Sequence, residues 1–278
     1  NSLFRNEGDG LFTKITGDIV SNDGGNSFGS SWGDIDNDGD LDLYITNSFY
    51  GGPWKNFLYL NNGDGTFTKN TSDPSSTDTG WSYGCAFGDY DNDGDLDLAV
   101  ANCYNASQSN SLYQNNGNSN HWINIRCIGT ISNYSAIGAK VRIKATLGGN
   151  TFWQLREISA QSGYCGENML NVHFGLGDAN VIDSIRIEWP SGIVDQYAAV
   201  NTNTFRVAYE GSGLFYSGIN PLNPSSLIKL ENSPNPFSVQ TVINFQLEKQ
   251  VRVKLEVYDL NGKRIATLVD SQQAPGHH

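Results

Sequence analysis

The sequence predicts an all-β protein, and three observations carry that expectation. Gly, Asn and Ser are abundant, aromatic residues make up 12% of the 278 positions and there is a single Met, a profile of short strands and tight turns. We find no stretch of helical length with a convincing 3.6-residue apolar period. Short alternating apolar runs are instead separated by Asn-Gly and Asp-Gly pairs, which are strong hairpin signals.

Taking the chain in order, its first 116 residues are dominated by an internal repeat. Asn1-Ser2-Leu3-Phe4-Arg5-Asn6 recurs as Asn56-Phe57-Leu58-Tyr59-Leu60-Asn61 and again as Asn110-Ser111-Leu112-Tyr113-Gln114-Asn115. A turn follows the first two copies, Gly8-Asp9-Gly10 and Gly63-Asp64-Gly65, and then Phe12-Thr13-Lys14 and Phe67-Thr68-Lys69. Later in each copy stand Trp32-Gly33-Asp34 and Phe87-Gly88-Asp89, 55 residues apart. A unit of this size with several short strands fits a propeller blade. Two blades and an opening strand cannot close a ring of about 4–8 blades, so incomplete β-propeller blades, with further blades upstream, are the expectation.

Each repeat contains one dense acidic loop: Asp34-Ile35-Asp36-Asn37-Asp38-Gly39-Asp40-Leu41-Asp42 and Asp89-Tyr90-Asp91-Asn92-Asp93-Gly94-Asp95-Leu96-Asp97. Both read D-x-D-x-D-G-x-x-D. Ca²⁺ takes about six to eight hard oxygen ligands, and acids at loop positions 1, 3 and 5 converge when the chain curls. Gly at position 6 permits the sharp turn. Position 7 (Asp40, Asp95) is expected to offer its carbonyl, and position 9 (Asp42, Asp97) to close the site. An EF-hand needs Glu at position 12, where this chain has Ile45 and Val100, so strands rather than helices follow. Five carboxylates in nine residues repel one another unless a cation lies between them. Two Ca²⁺ sites are therefore expected, the alternatives being an acidic surface turn or a carboxylate pair for acid–base catalysis.

The net charge of −12 and the lack of a basic patch argue against nucleic acid and anionic membrane as partners. No apolar run is long enough to span a membrane, and the first residues carry no charged-then-apolar leader. Four cysteines without a CxxC spacing argue against zinc. Cys85 and Cys103 replace Ser30 and Ser48 of the preceding copy and flank the second acidic loop, so a Cys85–Cys103 disulfide is expected. Cys127 with Cys165 is a second possible pair, and buried free thiols are the alternative to both.

After Asn116 the pattern changes. Residues 119–210 show alternating strands, among them Trp122-Ile123-Asn124-Ile125-Arg126 and Lys140-Val141-Arg142-Ile143, without an acidic loop. Residues 211–229 read as a linker rich in Ser, Gly, Asn and Pro. From Leu230 a third β segment begins, with Val242-Ile243-Asn244-Phe245, Val251–Tyr258 and an Asn261-Gly262 turn.

Residues 1–116 resemble FG-GAP (VCBS-type) repeats, through Trp32-Gly33 and Phe87-Gly88 directly before each acidic loop. That resemblance implies Ca²⁺ held by the side chains of Asp34, Asp36, Asp38 and Asp42, and of Asp89, Asp91, Asp93 and Asp97. Residues 119–210 are similar to the ASPIC/UnbV domain, which follows such propellers. The carriers include His121-Trp122, Ala136-Ile137-Gly138-Ala139, Gln154-Leu155-Arg156-Glu157, His173-Phe174-Gly175-Leu176-Gly177 and Trp189-Pro190-Ser191-Gly192. Cys165-Gly166 departs from the Ser-Gln usual after Gly-Tyr. Residues 230–278 resemble a truncated type A sorting domain of the type IX secretion system, a partial β-sandwich. Asn235-Pro236-Phe237, Thr241-Val242-Ile243, Val257-Tyr258-Asp259 and Gly262 carry it. This resemblance implies a Bacteroidota-type bacterium, contact with the type IX machinery and export to the cell surface or medium.

No G-x-S-x-G, H-E-x-x-H or phosphate-binding glycine loop is present. His173 is expected in the core, as are Trp122, Trp153 and Trp189, and Arg156-Glu157 is expected to form an ion pair on a strand edge. The leading functional expectation is a secreted or surface calcium-binding module without catalysis, engaging extracellular protein or glycan. The alternative is a calcium-dependent polysaccharide-active enzyme whose catalytic blades lie elsewhere, or a structural spacer.

Overall fold

The structure is a computed structural model and describes residues 1–48, 54–103, 108–217, 230–233, 240–247, 250–258 and 264–278. It is almost entirely β, and its contacts divide it into two compact units, Asn1–Asn220 and Pro221–His278.

In the first unit, β1 (Leu3–Gly8) and β2 (Leu11–Ile15) form a hairpin. Asp9 and Gly10 connect them, both at positive φ (51° and 78°), the conformation that a two-residue primed turn requires. A single-turn helix, α1 (Ile19–Asn22), follows, capped by the Asp18 carboxylate, which accepts from the Val20 N–H. The first repeat then supplies β3 (Ser27–Gly33), β4 (Asp42–Asn47), β5 (Trp54–Lys55), β6 (Phe57–Asn61) and β7 (Phe67–Asn70). A four-stranded antiparallel sheet in the order β3-β4-β6-β7 results. After α2 (Pro74–Thr77), the second repeat contributes β8 (Thr79–Gly80), β9 (Ser82–Gly88), β10 (Asp97–Asn102) and β11 (Ser111–Tyr113), with β10 central between β9 and β11.

Every residue of β4 is buried. Alternation along the strand explains this: Leu43 and Ile45 join Val20, Phe57 and Tyr59 on one face. Tyr44 on the other face joins Leu58, Cys85, Phe87, Leu96, Leu98 and Val100. One repeat's sheet is thus covered on both sides, as a stacked blade must be.

The rest of the first unit is a sandwich of two four-stranded sheets. Its strands are β12 (His121–Ile128), β13 (Lys140–Leu147), β14 (Asn150–Glu157), β15 (Val172–Gly177), β16 (Val181–Glu188), β17 (Val194–Asn201), β18 (Thr204–Tyr209) and β19 (Gly213–Tyr216). One sheet runs β15-β12-β18-β19, with β12 and β18 parallel; the other runs β14-β13-β16-β17. Ile123, Ile125, Phe174 and Leu176 from the first face Val141, Ile143, Ile182, Ile185 and Ile187 from the second, all fully buried. The β13–β14 hairpin turns on Gly148 and Gly149, again both at positive φ.

Glu210, at the end of β18, closes one edge of the sandwich. Its carboxylate accepts from the N–H groups of Thr130, Ile131 and Ser132 (2.9, 2.8 and 2.7 Å) and from the hydroxyls of Ser132 and Ser191. Successive backbone N–H groups form such an anion-holding nest. Three expectations fail in this unit. Cys103 donates its N–H to Trp81, whereas Cys85 lies opposite Val100. Cys103 therefore sits four residues along the ladder from Cys85, roughly 13 Å at about 3.3 Å per residue, and a disulfide needs Cα atoms within about 7 Å. All four cysteines are free, Cys85 and Cys127 buried, Cys103 and Cys165 exposed. Trp153 is 48% exposed, while Trp122 and Trp189 are buried as expected. Arg156 does not pair with Glu157, because neighbours on a strand point to opposite faces; its guanidinium turns to Asp34.

In the second unit, β20 (Leu230–Ser233), β21 (Val242–Leu247) and β24 (Gly276–His277) form one sheet, and β22 (Val251–Tyr258) pairs with β23 (Arg264–Gln273). Phe245 and Leu247 are buried, and the His278 ring stacks on Phe245 at 5.1 Å. Asn235-Pro236-Phe237, Asp259, the Asn261-Gly262 turn and most of the proposed linker lie outside the described residues.

Burial pushes the Glu210 carboxyl up, but the hydrogen bonds from Ser191, Ile131 and Ser132 outweigh it and hold the group down at about 2, against an ordinary 4.5. A depressed folded-state pKa stabilises the fold above the unfolded value, and that stability is lost as pH falls toward 2. The Glu210→Gln variant is expected to be less stable than the parent chain at pH 7. The difference from the parent chain should shrink between pH 4.5 and pH 2 in urea unfolding.

Candidate metal centre

The two acidic loops are the turns β3–β4 and β9–β10. Gly33 pairs with Asp42 and Gly88 with Asp97, so each loop's ninth residue opens the returning strand directly opposite the residue before its first. That register fixes positions 1 and 9 side by side. Asn37 and Asn92 adopt positive φ (58° and 62°), as do Gly39 and Gly94 (101° and 98°), which curls each loop back on itself. Asn tolerates this conformation better than most side chains, and Gly adopts it freely.

The curl brings three carboxylates together in each copy. Ligand-capable oxygens of Asp34, Asp36 and Asp42 lie within 4.8 Å of one another, and those of Asp89, Asp91 and Asp97 do the same. The remaining predicted residues do other work. Asp38 and Asp93 accept from the N–H two residues on, of Asp40 at 2.9 Å and Asp95 at 3.0 Å. Asp40 lies against Gly63. Asp95 accepts from the Asn37 side chain at 2.7 Å, which ties the second loop to the first.

The closing Asp is held by two N–H groups in each copy. Asp42 accepts from Ile35 and Asn61 (3.0 and 2.8 Å), Asp97 from Tyr90 and Asn115 (3.0 and 2.8 Å). Asn61 and Asn115 are the last residues of the repeated six-residue motif, and each also donates its side-chain amide to a loop carbonyl, Leu41 or Leu96. The repetition is visible in the sequence without its purpose; an Asn 19 residues beyond Asp42 and 18 beyond Asp97 was the signal.

Burial makes these carboxylates costly to charge. It raises Asp34 well above its ordinary value, with Arg156 opposing and the neighbouring aspartates adding to the rise. It pushes Asp42 up to about 7 and Asp89 to about 6. In Asp34, one oxygen accepts from the Gly39 and Gly175 N–H groups (3.1 and 3.0 Å) with Arg156 3.8 Å away. Its other oxygen is buried and has no hydrogen-bond partner among the described residues. An all-oxygen, anionic, convergent set with an orphaned buried acceptor suits a hard divalent cation, so the residues fit the group the repeats imply.

What surrounds the loops was not legible in the sequence. The sandwich rests on both. Gly39 packs on Leu147 and Gln154, and Gly94 on the Trp122 ring. Phe87 and Trp32 of the blades share Asn168, whose side chain accepts from the Phe87 N–H and the Ser31 hydroxyl and donates to the Trp32 carbonyl. Beside Asp34 lies a cavity of about 260 Å³ walled by both modules, with Trp32, Phe87, Leu155, Met169 and His173 among its lining.

A Cβ on Gly94 would lie 1.8 Å from the Trp122 ring, whereas one on Gly65, at a similar positive φ, would meet nothing within 4 Å. Gly94→Ala is therefore expected to cost about 3 kcal/mol or more, and Gly65→Ala about 1 kcal/mol. Urea unfolding of the two variants checks this contrast.

Residues 1–45 and 48–100 match the FG-GAP-like repeat family, and residues 129–213 match ASPIC and UnbV. Among curated proteins, cartilage acidic protein 1 of Xenopus tropicalis is 31% identical over 174 residues, covering 57% of this chain and 25% of that protein. The Mus musculus protein is 30% identical over 164 residues, with 57% and 25% covered, and the Homo sapiens protein 30% over 164, with 57% and 24%. The chain spans about a quarter of the length of these relatives. It carries FG-GAP-like repeats followed by an ASPIC and UnbV domain.

Proposed function

We propose that this chain is a non-catalytic, calcium-binding recognition module that works outside the cell. The observation that carries the reading is the pair of three-carboxylate clusters, one of them with a buried oxygen that no group among the described residues satisfies. Asp34, Asp36 and Asp42 would hold one ion, and Asp89, Asp91 and Asp97 the other, with Asp38, Asp40, Asp93 and Asp95 shaping the loops. A bound Ca²⁺ supplies the positive charge that lets these carboxylates stay ionised at close quarters.

Extracellular modules of this type need only weak calcium affinity, on the order of 10⁻⁴–10⁻³ M. The resemblance of residues 230–278 to a type A sorting domain supports export by a type IX machinery. The likeness to cartilage acidic protein 1 supports an extracellular adhesion-type role, with a protein or glycan as partner.

Calorimetric titration of the chelator-treated chain is expected to show two Ca²⁺ ions bound. Saturation at about 100 times Kd adds about 2.7 kcal/mol per site to the unfolding free energy. Asp42→Asn and Asp97→Asn should each remove one site. An identical melting curve with calcium and with chelator, together with no binding heat, refutes the reading.

A further inference from the structure

The two acidic loops have the same pattern in sequence but different surroundings. In loop 34–42, Asn37 is fully buried and Asp34 is 1% exposed; in loop 89–97, Asp91 and Asn92 are exposed and Asp89 is half-buried. The cause is β15. Its Val172, Phe174 and Leu176 enter the sandwich core, so by alternation His173, Gly175 and Gly177 face the other way. All three meet loop 34–42. The Gly175 N–H donates to Asp34 at 3.0 Å, the Gly177 N–H to the Asn37 carbonyl at 2.8 Å, and His173 Nε2 bonds Asn37 Oδ1 at 2.7 Å.

The His173 bond has one consistent polarity. Asn37 uses its amide nitrogen to donate to Asp95, so its oxygen accepts and His173 Nε2 carries the proton. Gly175 is required for the approach, since a Cβ there would lie 2.4 Å from both Asn37 Cα and Asp34 Oδ2. The Asp34 oxygen bonded by Gly175 is used up, and the other is buried without a partner among the described residues. Among the described residues, no equivalent N–H from the sandwich reaches Asp89: its oxygens accept from Asp93 and Gly94 of its own loop.

We propose that loop 34–42 is a composite cation site, in which His173 and Gly175 of the ASPIC/UnbV sandwich are positioning residues, while loop 89–97 is a self-contained one. This inference rests on the calcium reading above. Outer-sphere groups that orient metal ligands are worth about 10–100-fold in affinity. By linkage, whatever the sandwich adds to calcium affinity, calcium adds to the docking of the sandwich on the blades. The first ion is therefore a clasp between the modules, and the second is not.

The test uses the full chain in two backgrounds: Asp91→Asn with Asp97→Asn, leaving only the first loop, and Asp36→Asn with Asp42→Asn, leaving only the second. Gly175→Ala and His173→Leu are expected to raise the Ca²⁺ Kd of the first loop about 10-fold or more and to leave the second within twofold. His173→Gln, which keeps an N–H donor, should restore most of the affinity, a rescue that general destabilisation would not produce. Calcium should slow hydrogen exchange of the Gly175 and Gly177 amides only in the background that retains the first loop. Equal effects on both loops, or none on the first, overturn the composite site while leaving calcium binding standing. Failure of the parent chain to bind Ca²⁺ overturns both.

Discussion

The structure is organised around a repulsion that it concentrates instead of avoiding. Two nine-residue loops each gather three carboxylates whose oxygens lie within 4.8 Å of one another, and burial raises the cost of their charge. In most surface turns such groups would splay into water. Here the strand register that pairs Gly33 with Asp42 and Gly88 with Asp97 forbids that, and the N–H groups of Asn61 and Asn115 pin the closing carboxylate inward. Charge of the opposite sign would lower the cost of this geometry, and that is what the proposed calcium would supply. That cost connects the acidic composition, the repeat and the calcium reading in one chain of cause.

Asparagine supplies most of the fastening, because its side chain offers a donor and an acceptor in one rigid plane. Asn56 accepts from the Asn47 N–H, and Asn110 accepts from the Asn102 N–H, so the two repeats close their strand ends in the same way. Asn115, Asn118 and Asn120 donate to carbonyls of the first acidic loop from outside it. Asn168 joins both blades to the sandwich. A sequence rich in Asn reads as turn-forming, and much of it is; these residues instead satisfy backbone groups that the irregular loops leave without partners.

The acidic loops also form the platform on which the sandwich sits. Gly39 and Gly94 are needed for the curl of each loop, and the same lack of a side chain lets Leu147 and Trp122 approach the backbone. One residue type thus serves ion-site geometry and module packing together. Because the first loop lies under β15 and the second meets the Trp122 ring of β12, two copies of one motif acquire unequal burial. Repetition in sequence does not survive as equivalence in the fold.

The all-β class, the repeat, the Asp9-Gly10 hairpin and the positions of the acidic loops were legible from local chemistry, since turn residues and alternation act over a few neighbours. The approach of Asp34, Asp36 and Asp42 was legible for the same reason, but Asp38 and Asp93 were expected to converge with them and instead accept from the N–H groups of Asp40 and Asp95. Trp153 was misjudged because hydrophobicity alone does not say which face of an edge strand is covered. The cysteine pairing failed because ladder register, not distance along the chain, sets which residues meet. Gly175 inside the run Val172–Gly177 was the one local hint of a close backbone approach, but not of what would approach. By itself the sequence determined that carboxylates converge in two loops, because that depends on nine consecutive residues and their dihedral preferences. Only the tertiary structure decided that one loop is buried under a strand some 140 residues away and the other left half open, because burial is settled by which surfaces pack, and that is a property of the whole chain.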